Sequence, residues 1–426
     1  MNNCFSKAGL LLLLLFSNAF PQTPEKFSLN DAISLALQIN PDVTKAAREV
    51  DAANGRIKQA GRIPNPEFEI SWNETPRNFK VGDADEIDIG IVQQIEFPTK
   101  RSNRIDVAEY DKGLAELRLQ QTKAIVRSRV KVAYYDALLS HRLLQSLEEQ
   151  QQLLQDFQSA ISARYQAGES NYLDVIRAKV EITRLGNEIV ASRRETQQAL
   201  RQLKTAIGKD PNDLLVLVDS LSYAPLRMQK DSLVELLLKK SSSLEMASKT
   251  VNRQQSFLSL AGSSYFPDIS LGIFHQQRAE EPPFNANQFN GATSKAFGVK
   301  LGISVPLWFW QEPQGQVEEA NALVKIATID MDAIERRIRT RVLNAYDLVL
   351  VAEEQLKAFD ETLLDDVQDI VSTAIDQYKN NQIDLLNLFD VYRTFRVTKA
   401  EYARALYNYS LALAQLEVAA ELTPDE

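Results

Sequence analysis

Two periodicities alternate along this chain. Long stretches place apolar residues every three or four positions, the period of a helix face. Four short stretches alternate apolar and polar residue by residue, the period of a strand. Val324, Met331, Ile338, Ala345, Ala352 and Phe359 recur at a spacing of seven, and Ala320, Ala327, Ile334 and Leu348 mark a second seam that Arg341 interrupts. Leu385, Leu388, Tyr392, Phe395, Tyr402, Leu406, Tyr409, Leu413 and Leu416 form another stripe near the end of the chain. This is the pattern of helices packed lengthwise. A helix from Gly315 to Tyr378 is expected to be about 96 Å long, too long for a compact domain.

The strand-period stretches are clean. Phe68, Ile70 and Trp72 alternate with Glu67, Glu69, Ser71 and Asn73. Ile87, Ile89, Ile91 and Ile95 alternate with Glu86, Asp88, Gly90, Gln94 and Glu96. Ile269, Leu271 and Ile273 stand against Asp268, Ser270 and Gly272, and Phe297, Val299, Leu301, Ile303 and Val305 against Ala296, Gly298, Lys300, Gly302 and Ser304. Each run approaches the roughly 9–11 residues of a tilted membrane strand. A soluble sheet packed on helices shows the same alternation. Here the neighbouring helices are polar rods with no spare apolar face to cover it. Trp308, Phe309 and Trp310 follow the fourth strand, and Tyr265 and Phe266 precede the third, as an interfacial belt does. Four strands do not close, because single-chain barrels start at about eight, whereas three copies supply twelve.

The unit helix, helix, strand, strand, long helix, turn, helix occurs twice, offset by about 200 residues. Ile95-Glu96-Phe97-Pro98 pairs with Ile303-Ser304-Val305-Pro306. The stretch from Tyr165 to Val175 pairs with that from Tyr378 to Leu388. Both read as helix–turn–helix corners, with Gly168 or Asn380-Asn381 at the positions that tolerate a left-handed backbone. The expected organisation is a first repeat over 20–208 (strand pair about 66–97, helical hairpin 99–207) and a linker over 209–230. A second repeat follows over 231–426 (strand pair about 267–305, hairpin 315–420). The fold class is mainly α with a transmembrane β-barrel part: long antiparallel coiled coils, four strands per chain and an internal duplication.

The N-terminus reads as an address. Lys7 precedes an apolar run from Ala8 to Phe16, and Ser17-Asn18-Ala19 offers small residues for cleavage, so 1–19 is expected to be a signal peptide. Cys4 lies ahead of the run, not where a lipid would be attached. No later stretch reaches 18 apolar residues, so a membrane span would have to be a β-barrel.

Composition narrows the chemistry. Asp and Glu number 57 against 48 Lys and Arg, a net charge of −9 with no basic block, so nucleic acid is not the expected partner. One Cys and two His (His141 and His275) argue against His/Cys metal sites and His-based acid–base catalysis. Neither H-E-x-x-H, a Gly-rich loop nor a Ser/His/Asp set is present. No cofactor is expected, and pairs such as Asp365-Asp366 read as a solvated coiled-coil face. Glu67, Glu69, Glu86 and Asp88 are candidates for a barrel mouth, and 276–294 is a candidate extracellular loop.

Over its whole length after residue 19, the chain resembles the TolC-like outer membrane factors. The likeness lies in the duplication, the strand pairs, the helix lengths and both corners. Gln93-Gln94-Ile95-Glu96-Phe97-Pro98-Thr99-Lys100-Arg101, followed by Arg104, looks like the cation-efflux branch typified by CzcC and CusC. The resemblance implies a homotrimer in the outer membrane lipid of a Gram-negative bacterium. It implies a shared twelve-stranded barrel and a periplasmic α-barrel. An inner-membrane efflux pump, of the RND type, would dock through a periplasmic adaptor, and the conduit itself would have no enzymatic chemistry.

By position, the resemblance also assigns the periplasmic aperture. Asp174 and Tyr378 match residues whose contact holds the closed state. Asp390 matches a pore-facing carboxylate, and Asn387 stands where a second carboxylate is usual. Ile383 replaces a gate-holding Arg, with Asp384 nearby. The alternative is a soluble periplasmic coiled-coil adaptor or scaffold, in which these would be ordinary solvated turn residues.

Overall fold

The computed structural model describes residues 25–73, 86–226, 229–230, 232–235, 241–279, 293–359 and 361–420. The signal peptide expected over 1–19 and most of the loop expected over 276–294 lie outside the described residues. In chain order the elements are β1 (Glu25–Phe27), α1 (Leu29–Ile39), α2 (Pro41–Ala60), β2 (Glu67–Asn73), β3 (Glu86–Ile95), α3 (Pro98–Gln166) and α4 (Tyr172–Ile207). There follow β4 (Leu215–Leu217), α5 (Ser242–Ser263), β5 (Asp268–Ala279), β6 (Thr293–Ser304), α6 (Glu312–Lys357), α7 (Glu361–Lys379) and α8 (Leu385–Ala419). Among the described residues no helix is long and apolar enough to cross a membrane.

Local chemistry sets the breaks. Asn40 accepts a hydrogen bond from the Asp42 amide at 2.8 Å, and Pro41 opens α2 without needing a donor. Ser241 caps α5 through the Leu244 amide. Gly208, at φ 100°, ends α4 with its amide and that of Lys209 turned back onto the Lys204 carbonyl.

Contacts divide the chain into two compact units. One takes the N-terminal part to Ala36, Val130–Ser222 and Leu364–Tyr407; the other takes Leu37–Arg129, Tyr223–Leu363 and Asn408 onward. Each unit therefore draws on both sequence repeats. The first contains the parallel pair β1–β4 and a four-helix core. Leu154, Phe157 and Ile161 of α3 meet Ala178, Leu185 and Ile189 of α4, Ala374 and Tyr378 of α7, and Leu385, Leu388 and Tyr392 of α8. Tyr134 is fully buried here, its hydroxyl shared between the Phe27 carbonyl and Asp219. Asp219 also accepts the Leu29 amide at 2.7 Å. Burial and the Asp219 partner push the Tyr134 phenol well above its ordinary pKa.

The second unit holds one antiparallel sheet in the order β2-β3-β5-β6. The central pair, β3 and β5, joins the two repeats: Ile95 pairs with Ile269 and Glu86 with Arg278. Helices α5 and α6 pack against each other in the same unit.

Two helical expectations change. The helix expected over 315–378 is two helices. α6 ends at Lys357, the Phe359 amide tightens onto Leu356, and α7 starts at Glu361. Neither Gly nor Pro stands between them, so the sequence carried no breaker to read. The second seam of α6 also moves. Ala320 and Ala327 are buried as expected, but Arg341 and Leu348 face solvent, and Val342, Val349 and Leu356 take the seam beside Ile338, Ala345 and Ala352. The one-residue shift keeps the Arg341 guanidinium in water. It also lengthens the local repeat, which relaxes a left-handed supercoil.

Candidate functional site: the helical corners and the exposed sheet

The two corners have one geometry. In the first, Gly168 takes φ 80°, its amide bonds the Tyr165 carbonyl, and the Glu169 amide bonds the Arg164 carbonyl. In the second, Asn381 takes φ 61°, its amide bonds the Tyr378 carbonyl, and the Gln382 amide bonds the Gln377 carbonyl. Both are Schellman terminations, which require a left-handed residue at that point. The sequence reading named Gly168 for the first position and the pair Asn380-Asn381 for the second, of which Asn381 takes it.

Tyr378 is 5% exposed, in the core between the corners. Its hydroxyl is buried and forms no hydrogen bond, so the expected bond to Asp174 is not made. Burial raises its pKa; the nearby Arg164 charge opposes that shift and Asp174 adds to it. Asp174 instead stands in the first turn of α4, 3.8 Å from Arg177. Asp384 caps α8: its carboxylate accepts the Asn387 amide at 2.8 Å. Asn387 is exposed, and Ile383 packs on the four-helix core. Asp390 is exposed and lies 3.6 Å from Arg393. Asp174, Tyr378, Asp384 and Asn387 line one polar cleft with Arg164, Ser170 and Arg177; Asp390 does not line it.

The residue missed at the sequence level is Arg164. Its guanidinium stacks 4.7 Å from the Tyr378 ring centre and donates to the Tyr378 carbonyl at 2.6 Å. A second nitrogen donates to the Glu169 carbonyl at 3.3 Å. The one available signal was a basic residue in the last turn of α3, where it faces the negative end of a helix.

The sheet is the second feature. Cross-strand register puts Phe68, Ile91, Ile273 and Val299 in one row and Ile95, Ile269 and Ile303 in another, all on one face. Most of that face is bare: Phe297, Val299 and Leu301 are each about two-thirds exposed, Ile89, Ile91 and Ile95 of β3 and Ile269 and Ile273 of β5 about 40–50%, while Ile87 is half-buried. The other face carries Glu67, Glu69, Ser71, Asp88, Gly90, Gly272, Gly298, Lys300 and Gly302 by the same register. Among the described residues, β2 and β6 are edges, each paired on one side only. Beyond β6, Trp308, Phe309 and Trp310 are exposed; Phe309 lies 6.5 Å from Tyr265 and 5.3 Å from Trp310.

The stretch from Gln93 to Arg104 is a junction between sheet and helix. Arg104 grips both Glu96 carboxylate oxygens, at 3.0 and 2.9 Å, and the carbonyls of Ala60 and Arg62 at the end of α2. Arg101 donates to the Gly61 carbonyl. Lys100 pairs with Asp268 at 2.8 Å, and the same carboxylate oxygen takes the Phe97 amide. Every one of these charges has a partner within the junction.

Comparison with known proteins agrees with this geometry. Residues 32–209 and 233–420 match the family model described as "Outer membrane efflux protein". The cobalt-zinc-cadmium resistance protein CzcC of Cupriavidus metallidurans is 23% identical over 380 residues, 89% of this chain and 86% of that protein. A crystal structure of CusC superposes with a TM-score of 0.73 at 18% identity, covering 96% of this chain and 95% of that one. The outer membrane protein VceC of Vibrio cholerae gives 0.71 at 15%, covering 92% and 95%. The chain belongs to the outer membrane efflux protein family, a family of Gram-negative outer membrane channels and not of enzymes.

Proposed function

We propose that three copies of this chain form the outer membrane conduit of a tripartite efflux system for heavy-metal or other cations. The conduit takes its cargo passively from an inner-membrane pump, of the RND type, through a periplasmic adaptor. The observation that carries the trimer is the sheet: among the described residues, four strands, two edges without a partner strand, and a largely uncovered apolar face. Joining β6 of one copy to β2 of the next would satisfy both edges and close about twelve strands around a lumen wide enough for water. The apolar face would then meet lipid, with Trp308, Phe309 and Trp310 at its boundary. The cation cargo is supported by the likeness to CzcC. In this reading the cation is cargo and not a resident group. Asp174, Tyr378, Asp384, Asn387 and Asp390 would sit at or near the periplasmic aperture.

The test has two parts. Extracted in detergent, the protein should have the mass of three chains, and deleting the partner pump should abolish efflux even when this protein is abundant. A stable monomer would refute the barrel, and active efflux without a pump would refute the passive role.

A further inference from the structure

We propose that Arg164 is the pin that holds the two helical corners of a protomer together, and that its release is what widens the aperture. This rests on the channel reading above and names a residue that regulates it. The geometry is specific. One guanidinium contacts both corners: it donates to the Glu169 carbonyl in the first and to the Tyr378 carbonyl in the second, and it covers the Tyr378 ring. Its third nitrogen lies 3.8 Å from the Glu169 carboxylate. The Tyr378 carbonyl already accepts the Asn381 amide that closes the second corner, so Arg164 reinforces a carbonyl on which that turn depends.

Beyond the shared apolar core, the surrounding groups leave the polar link between the corners to one side chain. The Tyr378 and Ser170 hydroxyls are both buried without partners in the same cleft. The corners are therefore not joined through the Tyr378 phenol. Asp174 is turned toward Arg177. Removing Arg164 takes away a charge-assisted bond across the corners and the cation–π cover together. Nothing else among the described hydrogen bonds and ion pairs links residues 164–174 to residues 376–387.

The guanidinium reaches a main-chain carbonyl, so the order of effects is fixed. Arg164→Ala should raise the open fraction most. Arg164→Lys, which keeps the charge and loses the fork, should fall between it and the unaltered protein. Tyr378→Phe keeps both the ring and the carbonyl, and Asp174→Ala leaves both Arg164 bonds in place, so each should raise the open fraction less than Arg164→Ala does. The experiment is planar-bilayer recording of the trimer and these four variants, with thermal melting of the same preparations. The expected result is a rise of about tenfold in the open fraction for Arg164→Ala, equivalent to about 1.4 kcal/mol, with melting unchanged. Partial recovery in Arg164→Lys is expected alongside it. Equal gating in Arg164→Ala and the unaltered protein overturns the proposal, as does a larger effect from Tyr378→Phe or Asp174→Ala. If Arg164→Ala does not assemble, Arg164→Lys decides alone: gating equal to that of the unaltered protein overturns the pin. An unaltered protein that forms no channel at all refutes the channel reading instead.

Discussion

Arg104 shows what a single side chain does in this fold. A planar fork meets a carboxylate with two parallel bonds, and the remaining donors close carbonyls at a helix end. Lysine has the charge but not the fork. Arg104→Lys should therefore loosen the junction by about 1–3 kcal/mol. Hydrogen exchange should report this as faster amides in the last turn of α2 and at Phe97, with those of the four-helix core unchanged. Equal protection in both proteins would mean that the fork contributes nothing. The stretch was recognisable in the sequence only by resemblance. Its partners, Ala60 and Arg62, lie more than 40 residues away, and no spacing rule connects them to Arg104. Arg164 was missed for the same reason: its partner is a carbonyl 214 residues on.

At the scale of the element, alternation placed the four strands of the sheet, because a pleated backbone forces neighbours to opposite faces, but it stopped β5 at Ile273, short of Ala279, and gave no sign of β1 or of β4, which lies in the expected linker. It did not reveal Phe274, a lone aromatic on the small and charged face, flanked across the sheet by Gly90 and Gly298. The ring lies over Gly298, where an added Cβ would overlap the ring carbon Cζ. Aromatic cover of a glycine is a known way to pin strand register. Gly298→Ala should therefore lower the yield of assembled protein by forcing the ring aside, at a cost of about 1–3 kcal/mol. Adding Phe274→Ala should restore it. Native-gel quantification of the trimer checks both, and a double variant no better than the single one would show that the clash lies elsewhere. The seam of α6 teaches the complementary lesson. Heptad spacing named the right stripe, but the guanidinium of Arg341 moved half of it by one residue.

For the whole molecule the question is how charge at the proposed aperture would act on cargo. Asp390 is exposed, with only a loose contact to Arg393 one turn away. In a trimer, three such carboxylates at one height would favour cations. Asp390→Asn should lower the ratio of cation to anion permeability, and the difference should shrink at high salt, where the Debye length falls to about 3 Å at 1 M. Reversal potentials in asymmetric salt measure this directly. A ratio unchanged at low salt would place Asp390 away from the ion path. Asp384 is a weaker candidate for the same role, because its carboxylate is engaged as the cap of α8.

Read alone, the sequence determined the long helices and the strands of the four-stranded sheet, the duplication, Gly168 and the pair Asn380-Asn381 as left-handed positions, and the apolar face of the sheet. These follow from backbone sterics and from periods of 2 and about 3.6 residues, which act over short spans. The tertiary structure decided what depends on residues far apart in sequence. It paired β3 with β5 and built each compact unit from parts of both repeats. It ended α6 at Lys357 without a breaker, and left the Tyr378 hydroxyl without a partner while Arg164 took the carbonyl. Such contacts form because packing brings distant groups within about 3 Å of each other, where hydrogen bonds act, and local pattern carries no record of that distance.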